Sequence, residues 1–307
     1  MKIGFMGRSR MLLDTIKLIA RDDNHVVAFV WTSKSEDYNN CTAKEFEEIS
    51  NKIGCDYFFS TKVEEIEPLI EFDEVDLILS MNFVNIIPQS FLKKIKHGVI
   101  NAHAGDLPRY KGNAVANWAI INNEKKIVLT MHKMTSELDS GPIYIQEEFK
   151  LNEKKDIGDV YSWMEKITPK LFFETISRIE KGKRPKKQSD NKAMRTFPRK
   201  LEDSKIDWTE GIENILRLIR ASTRPFPGAF CFLNNNKDKR VNIFSGEKIN
   251  LKYNFYAIDG QILEYGKDYF CVASKNKAIK VTDFSLNGLN KKDSLNEIVN
   301  SMRNRLT

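Results

Sequence analysis

Short apolar runs and helical stripes alternate along the first 180 residues. Residues 2–6 form an apolar run that stops at Gly7, and Met11, Leu12, Leu13, Ile16, Leu18 and Ile19 then recur at helical spacing. Strand, glycine turn and helix in that order open a βαβ unit. Residues 25–31 (HVVAFVW) read as a second strand, 43–53 as an amphipathic helix with Phe46, Ile49 and Ile53 on one face, 56–59 as a short strand and 75–80 as a fourth. Ile86-Ile87-Pro88 predicts a helix start, with Phe91, Leu92 and Ile95 as its apolar face and Gly98 as its stop. Residues 99–103 form another strand, so Asn101 and His103, two apart, point to the same side near its carboxyl end. Residues 127–134 and 142–146 predict further strands, and 159–179 a helix that Pro169 should kink. The fold class is α/β: a doubly wound, mostly parallel, Rossmann-like sheet, with its chemistry at the carboxyl ends of the strands.

The pattern changes beyond residue 182. Ile206-Asp207-Trp208-Thr209 reads as a cap for a helix around 212–222, Pro225-Phe226-Pro227-Gly228 ends it, and short alternating runs fill 230–289. The division expected is a catalytic domain at 1–181, a linker at 182–202 and a smaller, mainly β domain at 203–307. A chain of 307 residues is long enough for both cores.

Composition narrows the function classes. No apolar run approaches the roughly 18 residues a membrane helix needs, and the start lacks the long apolar stretch of a signal peptide. The expectation is a cytoplasmic protein without a membrane partner. Cys41, Cys55, Cys231 and Cys271 are scattered and the four histidines show no ligand spacing, so no metal is expected and the thiols read as reduced and mostly buried. The net charge is +7, yet residues 178–200 alone hold ten Lys/Arg against Glu180 and Asp190, an excess of eight. Any phosphate-binding surface would therefore be local; a solvated linker is the favoured reading.

Candidate chemistry concentrates between residues 99 and 141. Asn101, His103 and Asp139 stand beside Gly105, Pro108, Gly112 and Gly141, which force tight turns. A lone histidine is commonly structural, but His103 follows a strand, precedes a turn and shares a face with an amide. That pairs a base with a neutral donor able to stabilise an oxyanion. Asp139 would orient the imidazole or raise its proton affinity, although Asp139-Ser140-Gly141 reads equally as a cap or turn. His132 reads as structural. Gly4-Phe5-Met6-Gly7 is too short for a dinucleotide fingerprint and Trp31-Thr32-Ser33 supplies no acid after the second strand, which excludes nicotinamide binding. Gly7-Arg8-Ser9 at a helix start is a candidate phosphate contact. Arg109, Tyr110 and Lys111 are placed to reach an anionic substrate. There is neither a serine nucleophile elbow nor a P-loop.

At Asn101-Ala102-His103, Leu107-Pro108-Arg109-Tyr110-Lys111-Gly112 and Asp139-Ser140-Gly141 the chain resembles the folate-dependent formyltransferases. Phe197-Pro198-Arg199, Ile206-Asp207-Trp208 and Pro225-Phe226-Pro227-Gly228-Ala229 extend the resemblance into the second domain. It implies transfer of formyl from 10-formyltetrahydrofolate to an amine, with His103 as general base, Asn101 as oxyanion donor, Asp139 tuning His103, and no metal. It further implies that the folate pterin lies against Asn85, Ile86 and Ile87, near Asn113, and along Thr135, Ser136, Glu137 and Leu138. Members that formylate methionyl-tRNA carry a long, basic, glycine-rich loop after the second strand; here residues 32–44 are short and include Glu36 and Asp37. Residues 80–83 and Asn117-Trp118 look more like enzymes of surface-glycan biosynthesis that formylate UDP- or dTDP-linked 4-amino sugars. On that reading Gly7, Arg8, Ser9, Arg109 and Tyr110 contact the sugar nucleotide; such members often pair as homodimers, while the sequence leaves the oligomeric state open. Methionyl-tRNA is the alternative acceptor. A non-catalytic folate- or sugar-binding protein is a third reading, against which the intact trio argues.

Overall fold

The computed structural model describes residues 1–307, apart from the side chain of Asp190, one of the two acids counted in the basic segment. Strand β1 (Lys2–Gly7) feeds helix α1 (Arg10–Ile19), which begins where Ser9 Oγ accepts from the Leu12 N–H. Next come β2 (Val26–Thr32), α2 (Ala43–Ile53), opened by a reciprocal Thr42/Glu45 cap, and β3 (Asp56–Phe59). A short α3 (Val63–Ile66) leads to β4 (Leu77–Met81), α4 (Gln89–Leu92) and β5 (Val99–His103). Then come β6 (Lys111–Gly112), α5 (Val115–Ile121), β7 (Lys126–Lys133), β8 (Ile143–Lys150), α6 (Ile157–Glu180) and β9 (Arg195–Thr196).

Seven of these strands make one sheet in the order β3-β2-β1-β4-β5-β7-β8. The first five are parallel, while β7 runs antiparallel to β5 and β8 antiparallel to β7. The order reverses between β1 and β4, so the carboxyl ends of the central strands open onto a crevice where such sheets bind ligands. Met6, Trp31, Ile78 and Val99 from the strands pack with Phe91 and Ile95 under the sheet. Each such side chain contributes about 1.5–3 kcal/mol on burial.

Two helices differ from the sequence expectation. Pro88 stands at the cap of α4, which is only one turn long, rather than inside a longer helix. Helix α6 runs unbroken through Pro169, because Met164, Leu171, Phe172 and Ile176 around it are buried and tie the helix down on both sides of the missing donor.

The chain divides into two compact units, one of residues 1–115, 126–150 and 160–197, the other of 116–125, 151–159 and 198–307. The second unit carries α7 (Ile212–Ser222), β10 (Ala229–Leu233), β11 (Asn236–Ile249), β12 (Ile262–Tyr265), β13 (Phe270–Ser274), β14 (Lys277–Leu286) and α8 (Lys291–Val299). Its strands form an antiparallel sheet ordered β10-β11-β14-β13-β12, and Ile212, Ile215 and Ile219 of α7 join Val241, Ile243 and Val281 in its core. Asp207, expected to cap α7, caps a single 3-10 turn instead, and Gly211 precedes α7. The two segments from the amino-terminal half are tied in by Asn117 Nδ2, donating to Ala221 O at 2.8 Å, and Arg220 Nη1, donating to Asn152 O at 2.7 Å. Among the described residues no helix is long and apolar enough to cross a membrane.

Candidate active site

Asn101 and His103 lie at the carboxyl end of β5, on the face that the two-residue strand period assigns them. The antiparallel partner of Asn101 is His132 on β7, so their side chains emerge together. Asn101 Nδ2 lies 3.3 Å from His132 Nε2, while His132 Nδ1 lies 3.2 Å from the Lys133 carbonyl. A carbonyl only accepts, so Nδ1 carries the proton and Nε2 accepts from the amide. One N–H of the half-buried Asn101 is thereby fixed and the other is left to point away from the imidazole.

His103 is 8% exposed and its Nε2 lies 2.7 Å from Tyr110 O. The same reasoning puts the proton on Nε2 and leaves the Nδ1 lone pair as the basic position. Nδ1 faces Asp139 Oδ2 at 3.6 Å, and Asp139 Oδ1 lies 3.5 Å from His132 Nε2. Burial pulls the His103 pKa below its ordinary 6.5; Asp139 opposes that pull without overcoming it, and His132 reinforces it. Burial acts to raise the Asp139 carboxyl, but His103, His132 and the Gly112 N–H together outweigh it and hold the group well below the usual carboxylate range. The resting site is therefore a neutral imidazole beside an ionised carboxylate.

The loop between His103 and Gly112 is built to deliver Tyr110 O. Tyr110 takes a left-handed backbone (φ 57°), and Thr130 Oγ1 donates to Gly105 O at 2.6 Å while Gln146 Nε2 donates to Leu107 O at 3.2 Å. Gly105 has no substitute here: a Cβ would stand 2.4 Å from both His103 Nε2 and Tyr110 O. Asp139 also sits at positive φ (50°), in a turn that the Gly112 N–H holds through Oδ2 at 2.9 Å.

The structure thus gathers the three expected residues and places His132, read from the sequence as structural, 3.3 Å from Asn101 Nδ2 and 3.5 Å from Asp139 Oδ1. Its signal was present only in the pairing, since a residue opposite Asn101 must share its face. Tyr110, expected to reach substrate, is 3% exposed, and the turn that buries its ring presents its carbonyl to His103 instead. Ser9 is 1% exposed with its hydroxyl spent on the α1 cap, and Arg8 Nη1 donates to Lys34 O at 2.6 Å with Glu36 at 3.7 Å. At Gly7 a Cβ would meet Met81 O at 1.9 Å, so the glycine serves the approach of β1 to β4. Arg109 is half-buried with Asp106 at 3.9 Å. Asn85, Asn113 and residues 135–138 are exposed, and Ile86 is 75% exposed while Ile87 is buried.

The basic segment is not a free connection. Lys186 exchanges both backbone hydrogen bonds with Ile143, β9 pairs with β6, and Gln188 bonds the turn at Asp139. Charge made these residues look solvated, while the backbone and amide donors that anchor them leave no signature in composition. Between this segment and the site lies a cavity of about 290 Å³ lined by Lys111, Leu138, Ala193, Met194 and Arg195. All four cysteines are free, and among the described residues no group of three or more His, Cys, Asp and Glu is placed to hold a metal ion.

A buried base with a carboxylate behind it and an amide donor beside it, at the strand ends of an open α/β sheet, is the equipment of an acyl-group transferase. Comparison with known proteins specifies the group. A model described as formyl transferase matches residues 1–176 and one described as formyl transferase, C-terminal domain, matches 199–303; the chain belongs to the formyl transferase family. It is 31% identical over 295 residues to methionyl-tRNA formyltransferase of Fusobacterium nucleatum, covering 93% of this chain and 90% of that protein. Among solved structures it resembles the N-formyltransferase of Helicobacter canadensis in complex with folinic acid and dTDP-3-aminofucose (TM-score 0.65, 20% identity, 92% and 99% of the two chains). It also resembles HypX of Aquifex aeolicus with tetrahydrofolic acid (TM-score 0.63, 17% identity), covering 92% of this chain but only 44% of HypX. At these identities the two structures share the fold.

Proposed function

We propose that the protein transfers formyl from 10-formyltetrahydrofolate to the amine of a nucleotide-linked amino sugar. The observation that carries the reaction is the connected set Asn101, His132, Asp139 and His103, in which the basic nitrogen, the free amide N–H and the carboxylate are each assigned by a hydrogen-bond partner. The amine nitrogen attacks the formyl carbon, and the formyl oxygen takes the electron pair of the C=O bond and is met by the free N–H of Asn101. His103 Nδ1 takes the proton released by the attacking nitrogen, and Asp139 stabilises the imidazolium. As the carbonyl re-forms, the bond from carbon to the folate nitrogen breaks and that nitrogen receives the proton, giving an N-formyl sugar and tetrahydrofolate. General-base and oxyanion contributions are each worth roughly two to four powers of ten. The exposed Ile86 and the exposed loop 135–138 fit a flat heterocycle with a hydrogen-bonding edge.

The small acceptor is supported by the connection after β2. It closes on itself in one 3-10 turn, Asp37–Asn39, where Asn39 Oδ1 accepts from the Glu36 N–H at 2.8 Å and Arg10 donates to Asn40 O and Glu45. It holds no arginine, Arg8 and Arg10 from the first turn of the chain bond onto it at Lys34 O and Asn40 O, and its tip is acidic, so it offers no basic arm to an RNA stem. Lys111 and Arg195 in the 290 Å³ cavity suit the diphosphate of such an acceptor. Methionyl-tRNA is the second reading, favoured by the sequence relatives and by the lysines of residues 181–187. Tetrahydrofolate release from 10-formyltetrahydrofolate is measured with UDP- and dTDP-linked 4-amino sugars and, separately, with methionyl-tRNA. Release with a sugar nucleotide and none with tRNA is expected; release with tRNA alone replaces the acceptor, and release with neither removes the reaction.

A further inference from the structure

Residues 186–196 approach Asp139 from two directions. At one end, Gln188 Nε2 donates to Asp139 O at 2.8 Å and to Gly141 O at 2.6 Å, spanning the turn. Both carbonyls only accept, and among the described residues nothing donates to the buried Gln188 Oε1, so the two Nε2 bonds set the orientation of the carboxamide. At the other end, β9 pairs with β6: Lys111 N donates to Met194 O at 3.0 Å, Asn113 N to Thr196 O at 3.2 Å, and Thr196 Oγ1 to Asn113 O at 2.8 Å. Between those pairs lies Gly112, whose N–H donates to Asp139 Oδ2. The carboxylate and its own backbone are thus both held by a segment that lies about 50 residues further along the chain.

We infer that Gln188 is a positioning residue for the transfer reaction, fixing the left-handed turn that aims Asp139 at His103 Nδ1. A residue in this conformation reverts readily to commoner backbone angles unless neighbours over-determine it. Without the two amide donors the turn relaxes and the carboxylate leaves its 3.6 Å station opposite Nδ1. The groups facing His103 are Asp139 from the turn, His132 from β7 and the Tyr110 carbonyl from its own loop. Lys111 is drawn off to Ser140 Oγ at 2.8 Å. Only Asp139 favours the imidazolium by charge, so losing its alignment makes His103 a weaker base.

The inference rests on the formyl-transfer reading, and one arm of its test needs no substrate. The imidazole titration of His103 is followed by NMR in wild-type protein and in Gln188→Met, which keeps the side chain's length and removes both donors without adding a charge near His103. The signal is assigned by its absence in His103→Gln. The titration is expected to move down by about one pH unit. The kcat of the variant, on whichever acceptor supports wild-type turnover, falls between about 10- and 100-fold with KM little changed. Gln188→Leu replaces the methionine variant if the latter does not fold. An unmoved His103 titration overturns the inference, whatever happens to kcat, and failure of both variants to fold assigns Gln188 to structure alone. Inactivity of the wild-type protein bears on the proposed function, while the titration still reads the turn.

Discussion

The site has two halves held by different means. Asn101, His103 and His132 stand on β5 and β7, where ladder hydrogen bonds fix the backbone and the strand period fixes direction. Tyr110 and Asp139 stand on loops and Gly112 ends the two-residue β6; all three are at positive φ, and the loops are held by side chains borrowed from Thr130, Gln146 and Gln188. In the proposed reaction the strand half carries the groups that exchange protons and stabilise charge, and the loop half sets how basic they are. A strand can place an atom but cannot adjust a neighbour's field, whereas a turn can bring a carboxylate to any angle if something else holds the turn.

The comparison breaks most visibly if the strand half is removed. His103→Gln and Asn101→Ala should each lower kcat by at least 100-fold with far-UV circular dichroism unchanged. Gly105→Ala attacks both halves at once, because its methyl cannot coexist with His103 Nε2 and Tyr110 O. It should lose activity comparably and also cost about 1–3 kcal/mol in denaturant unfolding. His132→Asn, which takes away the acceptor that orients Asn101, should lower kcat about tenfold and leave KM near wild type. Thr196→Val, on the loop side, should cost only about 1 kcal/mol of stability, since Thr196 Oγ1 serves two carbonyls that water can partly satisfy.

Acid should act on both halves in sequence. The His103 pKa is lower in the folded protein than its ordinary 6.5, so the unfolded chain binds more protons and stability falls as pH drops through and below 6.5. Asp139, also lowered, withdraws its contribution only below its ordinary 3.8. Urea midpoints measured from pH 8 to pH 4 should show the first decline, and His103→Gln should flatten it.

Much of this was legible in the sequence. Apolar runs such as those of β1, β2 and β5 marked the parallel core, and α2 and α7 span the expected 43–53 and 212–222, the first legible from Phe46, Ile49 and Ile53 and the second from the stop at Pro225-Phe226-Pro227-Gly228. Asn101 and His103 were visible because a period of two is visible. Other features were not. His132 meets Asn101 through an antiparallel register that no local pattern encodes, and Gln188 sits in a basic run whose charge masks a backbone docked by amides and carbonyls. Helices α5 and α8 were missed for a related reason. The first, VANWAII, has no polar stripe to reveal its period, and the second is defined by the cap at Asn290 more than by its apolar face.

The division of labour between the halves is tested most directly by the pH dependence of tetrahydrofolate release, wild type beside Asp139→Asn. If the carboxylate supports the basicity of His103, the wild-type rate rises with pH through a limb below 6.5. In the variant that limb lies lower still, and the plateau falls by about 100-fold. A variant whose limb coincides with that of the wild type would show that Asp139 does not govern His103, and would contradict the account.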